Sequence, residues 1–195
     1  SWADIKDGDY TVALGDINGG NAQAAVIASA YAFGGDLNNL DPAFEFWTQM
    51  AEDGRINTLD ILQQNFETGE IPVGVIWSFT AIPYKDQITK YKLQANIPTD
   101  GSIMSGYASV INKYAPHPCA AALAREYIFS DEGQANLAAA GAIPTRTDVE
   151  IPDDIQNATF KSEDYANAIP MEDTDAYTKA CETVVERWQE EITPL

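Results

Sequence analysis

Apolar and polar positions along the chain switch between two periods. YTVALG (residues 10–15) alternates like a short strand, and after GDINGGN the apolar residues return at helical spacing, with Val26, Ala30 and Phe33 on one face. That spacing predicts a helix capped by Asn18 or Asn21 and running to about Phe33, with Gly34 in the C-terminal position that tolerates positive φ. A second helix is expected from Asp41 as N-cap, with Pro42 at the first helical position, Phe44, Trp47 and Ala51 on one face, and a stop at Gly54. A third is expected to start at Thr58, to carry Leu62 and Phe66, and to stop at Gly69.

EIPVGVIW (70–77) then reads as a buried strand rich in β-branched residues. KLQANIP (92–98) and GYASVIN (106–112) read as further strands, with a turn at TDGS (99–102) between them. PHPCAAALAREYIF and SDEGQANLAAAG form a helix pair, the second capped by Ser130 and ended by Gly141. Residues 144–173 are rich in Pro, Asp, Asn and Thr and read as surface excursions with short helical pieces. The chain closes on an amphipathic helix whose apolar face is Tyr177, Cys181, Val184, Trp188 and Ile192. Strands alternating with helices predict an α/β fold with a largely parallel sheet.

Composition narrows the function more than the fold. The 195 residues are 45% apolar, enough for one ample core or two modest ones. The 30 acidic and 11 basic residues give a net charge of −19, which repels phosphodiester backbones and anionic headgroups and argues against nucleic-acid or membrane-surface binding. No stretch approaches the roughly 20 apolar residues of a membrane-spanning helix. The start, SWADIKDGDY, lacks the basic and apolar regions of a signal peptide and reads like the interior of a longer protein in which Trp2 docks. Cys119 and Cys181 lack the short spacing of metal or dithiol motifs, so they are buried small residues or a disulfide.

Candidate chemistry is sparse. The single histidine, His117, is two residues from Cys119, a spacing that points the side chains apart and leaves no third group to complete a catalytic site. The chain supplies no close pairs of zinc ligands and no calcium-binding loop, so no metal or other cofactor is expected. GDINGGN lies between a strand and a helix, where unpaired amides could face an anionic group and Gly19 and Gly20 would let it approach; a plain turn explains the same residues. The spacing is that of neither a Walker loop nor a dinucleotide fingerprint. Trp77 ends a strand at the edge where open α/β sheets bind ligands, although a core tryptophan fits equally. Ser102, Ser105 and Tyr107 offer hydroxyls that a polar hairpin would also explain.

In their order, SWADIKDGDYTVALGD, SAYAFGG, ETGEIPVGVIW, IPTDGS and above all AAALAREYIFSDEGQANLAAAGAIPTRTDV resemble the extracellular solute-binding proteins of ABC importers. The group is the type 2 one that includes iron(III), polyamine, thiamine and phosphonate receptors, and the resemblance weakens after about Glu150. It implies a type 2 periplasmic-binding-protein-like fold, two α/β lobes that close over a ligand by hinge motion. Residues 1–106 would be the second-lobe core, 107–141 a segment returning to the first lobe or packing on that core, and 142–195 a crossing back that ends in the C-terminal helix. The N-terminal part of the first lobe would lie upstream of this sequence.

The resemblance implies no enzymatic activity, and as partners a small-molecule solute and an ABC permease in the membrane. The protein would be a monomer located outside the cytoplasm, periplasmic or lipid-anchored. Iron(III) receptors carry adjacent tyrosines near WSFTAIPYK, where only Tyr84 stands here. Polyamine receptors match at Trp77, but their downstream Trp and Asp fall on Ser105 and Tyr107. The expected ligand-binding set is Asn18, Gly19, Gly20, Asn21, Trp77, Ser78, Ser105 and Tyr107, suited to a small solute bearing an anionic group. The alternatives are an α/β enzyme acting on a phosphorylated small molecule with Asp16 as acid or base, and a ligand-sensing domain of a signalling receptor.

Overall fold

The computed structural model describes residues 1–161 and 163–195 in full and residue 162 by its backbone alone. Its first half is built on a short parallel sheet. Strands β1 (Val12–Ala13), β2 (Ile56–Asn57) and β3 (Val73–Gly74) lie in the order β2-β1-β3, with Val12 paired to both Ile56 and Val73. Because side chains alternate across a strand, Val12 and Leu14 enter the larger core and Ala13 the smaller core on the other face, with Phe66, Ile71 and Ile88.

Helix α1 (Trp2–Asp7) precedes the sheet, and α2 (Gly20–Ala32) follows β1. Ala22, Ala24, Ala25, Val26, Ile27, Ala28, Ser29 and Ala30 of α2 are all buried. From Ala24 to Ala30 the helix is therefore central, and its small side chains let neighbours approach closely. It is flanked by α3 (Asp41–Glu52), by strand β4 (Ser102–Met104) and by the C-terminal helix α9 (Thr174–Arg187). Gly34 adopts φ +90° just past the end of α2, as its place in the pattern requires.

The main core is aromatic. Trp47 is fully buried and packs edge-on to Phe46 (4.8 Å between ring centroids) and Trp2 (6.1 Å), with Trp188 at 5.6 Å. Its indole N–H donates to Ser29 Oγ (3.0 Å), and Ser29 Oγ donates to the Val26 carbonyl (2.7 Å), so the polar atoms of this region are paired. All five positions of the expected C-terminal face, Tyr177, Cys181, Val184, Trp188 and Ile192, join this core or pack against it. After α9 the chain continues as a π-helical turn, Trp188–Ile192, closed by Thr193 N–H to the Trp188 carbonyl (2.9 Å).

Several local expectations are corrected. The cap of α2 is Gly19, not Asn18 or Asn21. Asn18 is drawn back to Asp16 Oδ1 through its backbone and side-chain N–H groups (both 2.9 Å), and Asn21 lies inside the first turn. The cap of α3 is Leu40, because the Asp41 carboxylate turns to Arg187 (2.9 Å) instead of to its own helix. No helix starts at Thr58: Ile56–Asn57 is recruited into the sheet, Asn57 Oδ1 accepts from Leu59 N–H (3.0 Å), and α4 is only Gln63–Thr68. Residues 92–98 and 106–112 form no strand, since their backbone joins no ladder among the described residues. Instead β4, from within the expected turn and just after it, pairs in parallel with β5 (Ala168–Pro170). Residues 78–87, where the pattern predicts no helix, form α5 (Ser78–Gln87) in spite of Pro83.

The expected helix pair is present as α6 (Pro118–Ile128) and α7 (Asp131–Ala139), with Ser130 Oγ accepting from Gly133 N–H (3.1 Å) as the cap. A short helix α8 (Asp153–Ala158) and a 3₁₀ turn (162–165) occupy the expected excursion. Both thiols are free: Cys119 is exposed and Cys181 half-buried. Burial pushes the Cys181 thiol up, with Tyr177 beside it acting the other way. Since the thiolate is the nucleophile, iodoacetamide at pH 8 is expected to alkylate Cys119 at least tenfold faster than Cys181, read by peptide mass mapping. Equal rates would contradict the placement of α9.

Candidate functional site

The parallel arrangement carries the chain from β1 and β3 into two helices at the same edge of the sheet. β1 leads through GDINGG into α2, and β3 leads through Val75, Ile76 and Trp77 into α5. Asn21 ties the two connections together, its side-chain N–H₂ donating to the Val75 carbonyl (2.7 Å) and the Leu14 carbonyl (3.2 Å). The first hydrogen bond entering α2 is Gln23 N–H to the Gly19 carbonyl (3.2 Å), which leaves the N–H groups of Gly20, Asn21 and Ala22 without helical acceptors. Carboxyl edges of parallel strands are where open α/β sheets place their ligands.

A cavity of about 110 Å³ opens beside this convergence. Its floor is one side of α2 (Ala24, Ala25, Ala28), and Trp77 and Ser78 form the side nearest the sheet. Residues 96–98 and 101–103 form the opposite wall, and Phe160 and Tyr165 reach in from the excursion after α8. That wall is fixed from behind. The indole N–H of buried Trp2 donates to the Gly101 carbonyl (2.7 Å), and the Asp100 carboxylate accepts from the N–H groups of Trp2 and Ala3 (both 3.1 Å). Gly101 lies against α2 so closely that a Cβ would run into the Ala28 carbonyl oxygen.

Of the residues singled out in the sequence, the structure brings Asn21, Trp77, Ser78 and Ser102 together on this cavity. Asn18, Gly19 and Gly20 lie on the loop leading to it, with Asn18 and Gly20 exposed. Ser105 and Tyr107 lie outside: both are exposed, and the Tyr107 ring stands edge-on to Phe79 at 5.9 Å. Trp2, Asn96, Phe160 and Tyr165 also line the cavity, outside the set that the sequence predicts. IPTDGS (97–102) covers most of the wall opposite Trp77, but nothing local marks Phe160 or Tyr165, which arrive through the pairing of β4 with β5.

Burial pushes the Tyr165 hydroxyl up, while the Ser78 side chain beside it acts in the opposite direction and the charge of Asp164 adds to the rise; the phenol stays neutral near pH 7. The hydrogen bonds from Asn18, backbone first, hold the Asp16 carboxyl below the usual range, so this exposed group stays ionised and is a poor general acid. Among the described residues no three His, Cys, Asp or Glu side chains come together as a metal site. None of the described helices is long and apolar enough to cross a membrane.

Comparison with known families identifies the chain. The family described as bacterial extracellular solute-binding protein matches residues 1–169, and the chain belongs to that family. Its mixed helices and small parallel sheets fit the α/β architecture of such proteins. Membership carries a small-molecule ligand, an extracytoplasmic location and a role that is generally not enzymatic. No curated protein matches the sequence.

Proposed function

We propose that this member of the bacterial extracellular solute-binding family is the receptor of an ABC importer, capturing a small solute in the cavity beside Trp77 and delivering it to a membrane permease. The observation that carries this reading is the convergence of two strand-to-helix connections, a half-buried tryptophan and a cavity at one edge of a parallel sheet. Asn21, Trp77 and Ser78 are the proposed contacts inside the cavity. Asn18, Gly19 and Gly20 are proposed at its approach, where the N–H of exposed Gly20 has no helical acceptor, which supports a solute that carries an anionic group. Ser105 and Tyr107 would reach the solute when the protein closes.

The proposed organisation keeps residues 1–106 as the core of one lobe, 107–141 as a segment returning to another lobe or packing on this core, and 142–195 as the crossing back. Closure between lobes would trap the solute. The receptor would act as a monomer, periplasmic or anchored by lipid.

Thermal unfolding with a panel of phosphonates, thiamine, polyamines and metal ions tests this reading. A ligand present at a hundredfold excess over its Kd stabilises the form it binds by about 2.7 kcal/mol, a readily measured rise in Tm. A receptor raises its Tm and returns the solute unchanged, whereas an enzyme would turn it over. A flat Tm across all four classes would sink the proposal.

A further inference from the structure

The lining of the Trp77 cavity has a composition unlike the rest of the molecule. Although 21% of the chain is charged, none of its 30 acidic or 11 basic residues lines this cavity. Its walls are aromatic and small apolar side chains, and its polar atoms come from neutral groups: Asn21, Ser78, Asn96, Ser102 and Tyr165. Part of that polarity is already used, because the Asn21 amide N–H₂ holds two carbonyls and the Trp2 indole N–H holds Gly101. An ion entering such a lining would lose water and gain no counter-charge, which is unfavourable. A neutral ring loses little and gains contact with the indole and with the flat alanine bed of α2. The volume of about 110 Å³ is of the order that holds one ring; an apolar cavity of about 150 Å³ holds benzene.

We infer that this cavity takes an uncharged planar ring about the size of one six-membered ring, held between the Trp77 indole and the alanine bed of α2 and oriented by hydrogen bonds to the neutral groups around it. The inference rests on the reading of this cavity as the solute site and specifies which part of a solute enters it. Any anionic group stays outside, at the exposed start of α2. A cation would be drawn by the net charge of −19 and by the face of Trp77, and the desolvation cost inside the cavity opposes it.

Nicotinamide and 1-methylnicotinamide have the same ring and differ in permanent charge, which makes them the test pair, with methylphosphonate as a ringless anion. Each is titrated into the protein while the Trp77 indole N–H resonance, assigned with Trp77→Phe, is followed by NMR. Nicotinamide is expected to shift that resonance with a Kd at least tenfold lower than either charged probe. Ala81→Leu, which fills the cavity from the α5 side while leaving the indole in place, is expected to weaken nicotinamide at least tenfold. If 1-methylnicotinamide or methylphosphonate binds at Trp77 more tightly than nicotinamide, the neutral-ring inference is overturned and the solute site stands. If none of the probes moves the resonance, this cavity is not the solute site and both fall, with the thermal panel deciding separately whether the protein is a receptor.

Discussion

Trp47→Ala is expected to remove about 4 kcal/mol of stability, within the range for deleting a buried large aromatic side chain. The indole is fully buried at the meeting of α2, α3 and the C-terminal helix, in contact with Trp2, Phe46 and Trp188. Truncation opens a cavity that three large neighbours cannot fill without leaving their rotamers, and it removes the donor to Ser29 Oγ (3.0 Å). With domain stabilities of about 5–15 kcal/mol, a substantial share of the total goes. For a urea slope of about 2 kcal/mol per M, the midpoint should fall by about 2 M. Tyr114→Ala, at a side chain 83% exposed, should change stability by less than about 0.5 kcal/mol. Equal midpoints for the two variants would show that the aromatic core is misplaced.

Gly101→Ala is expected to cost about 2–3 kcal/mol and to weaken solute binding, although it adds a single methyl group. A Cβ at this position meets the Ala28 carbonyl oxygen and then Ala32 Cβ and N, each at 3.0 Å, so backbone has to move. The movement lifts the wall of the cavity away from α2 and strains the bond from the Trp2 indole to the Gly101 carbonyl. Faster hydrogen exchange at the Trp2 indole would report that strain directly. Gly20→Ala is the matched contrast. Its Cβ meets nothing within 4 Å, so it should leave the fold intact or stabilise it by about 0.4–1 kcal/mol. Any loss of solute affinity in that variant would come from crowding the open amides, which separates the approach loop from the wall as sources of binding. A Gly101→Ala protein as stable as the parent would refute the close contact with α2.

Helices were legible where their signals are local. Ser130 caps its helix through a side chain three residues away, and the four- and three-residue spacing from Tyr177 to Ile192 lies on one face whatever it packs against. Competition for the same side chain was not legible. Asp41 looks like a cap until Arg187, 146 positions later, takes its carboxylate. Asn18 and Asn21 look like caps until one is spent on Asp16 and the other on Leu14 and Val75. Strands were read least well because an extended segment becomes a strand only through a partner. Val12–Ala13 has two partners, whereas residues 106–112 have none, and Tyr107 and Val110 stand 82% and 84% exposed.

The site divides in the same way. The sequence pointed to Asn21 through the glycine-rich loop between a strand and a helix and to Trp77 at the end of a strand pattern, and both signals lie within a few residues of the position they mark. That Asn21 faces Val75, 54 residues on, and that Phe160 and Tyr165 complete the cavity was decided by parallel pairing of distant strands. The sequence by itself determined most of the longer helices, the family and the net charge of −19. Tertiary structure alone decided which polar groups are already spent, how much room α2 leaves beneath Trp77, and that the cavity beside it is uncharged. Spacing along a chain specifies the face of an element, whereas a cavity is defined by the distances between elements, which depend on packing across the whole molecule.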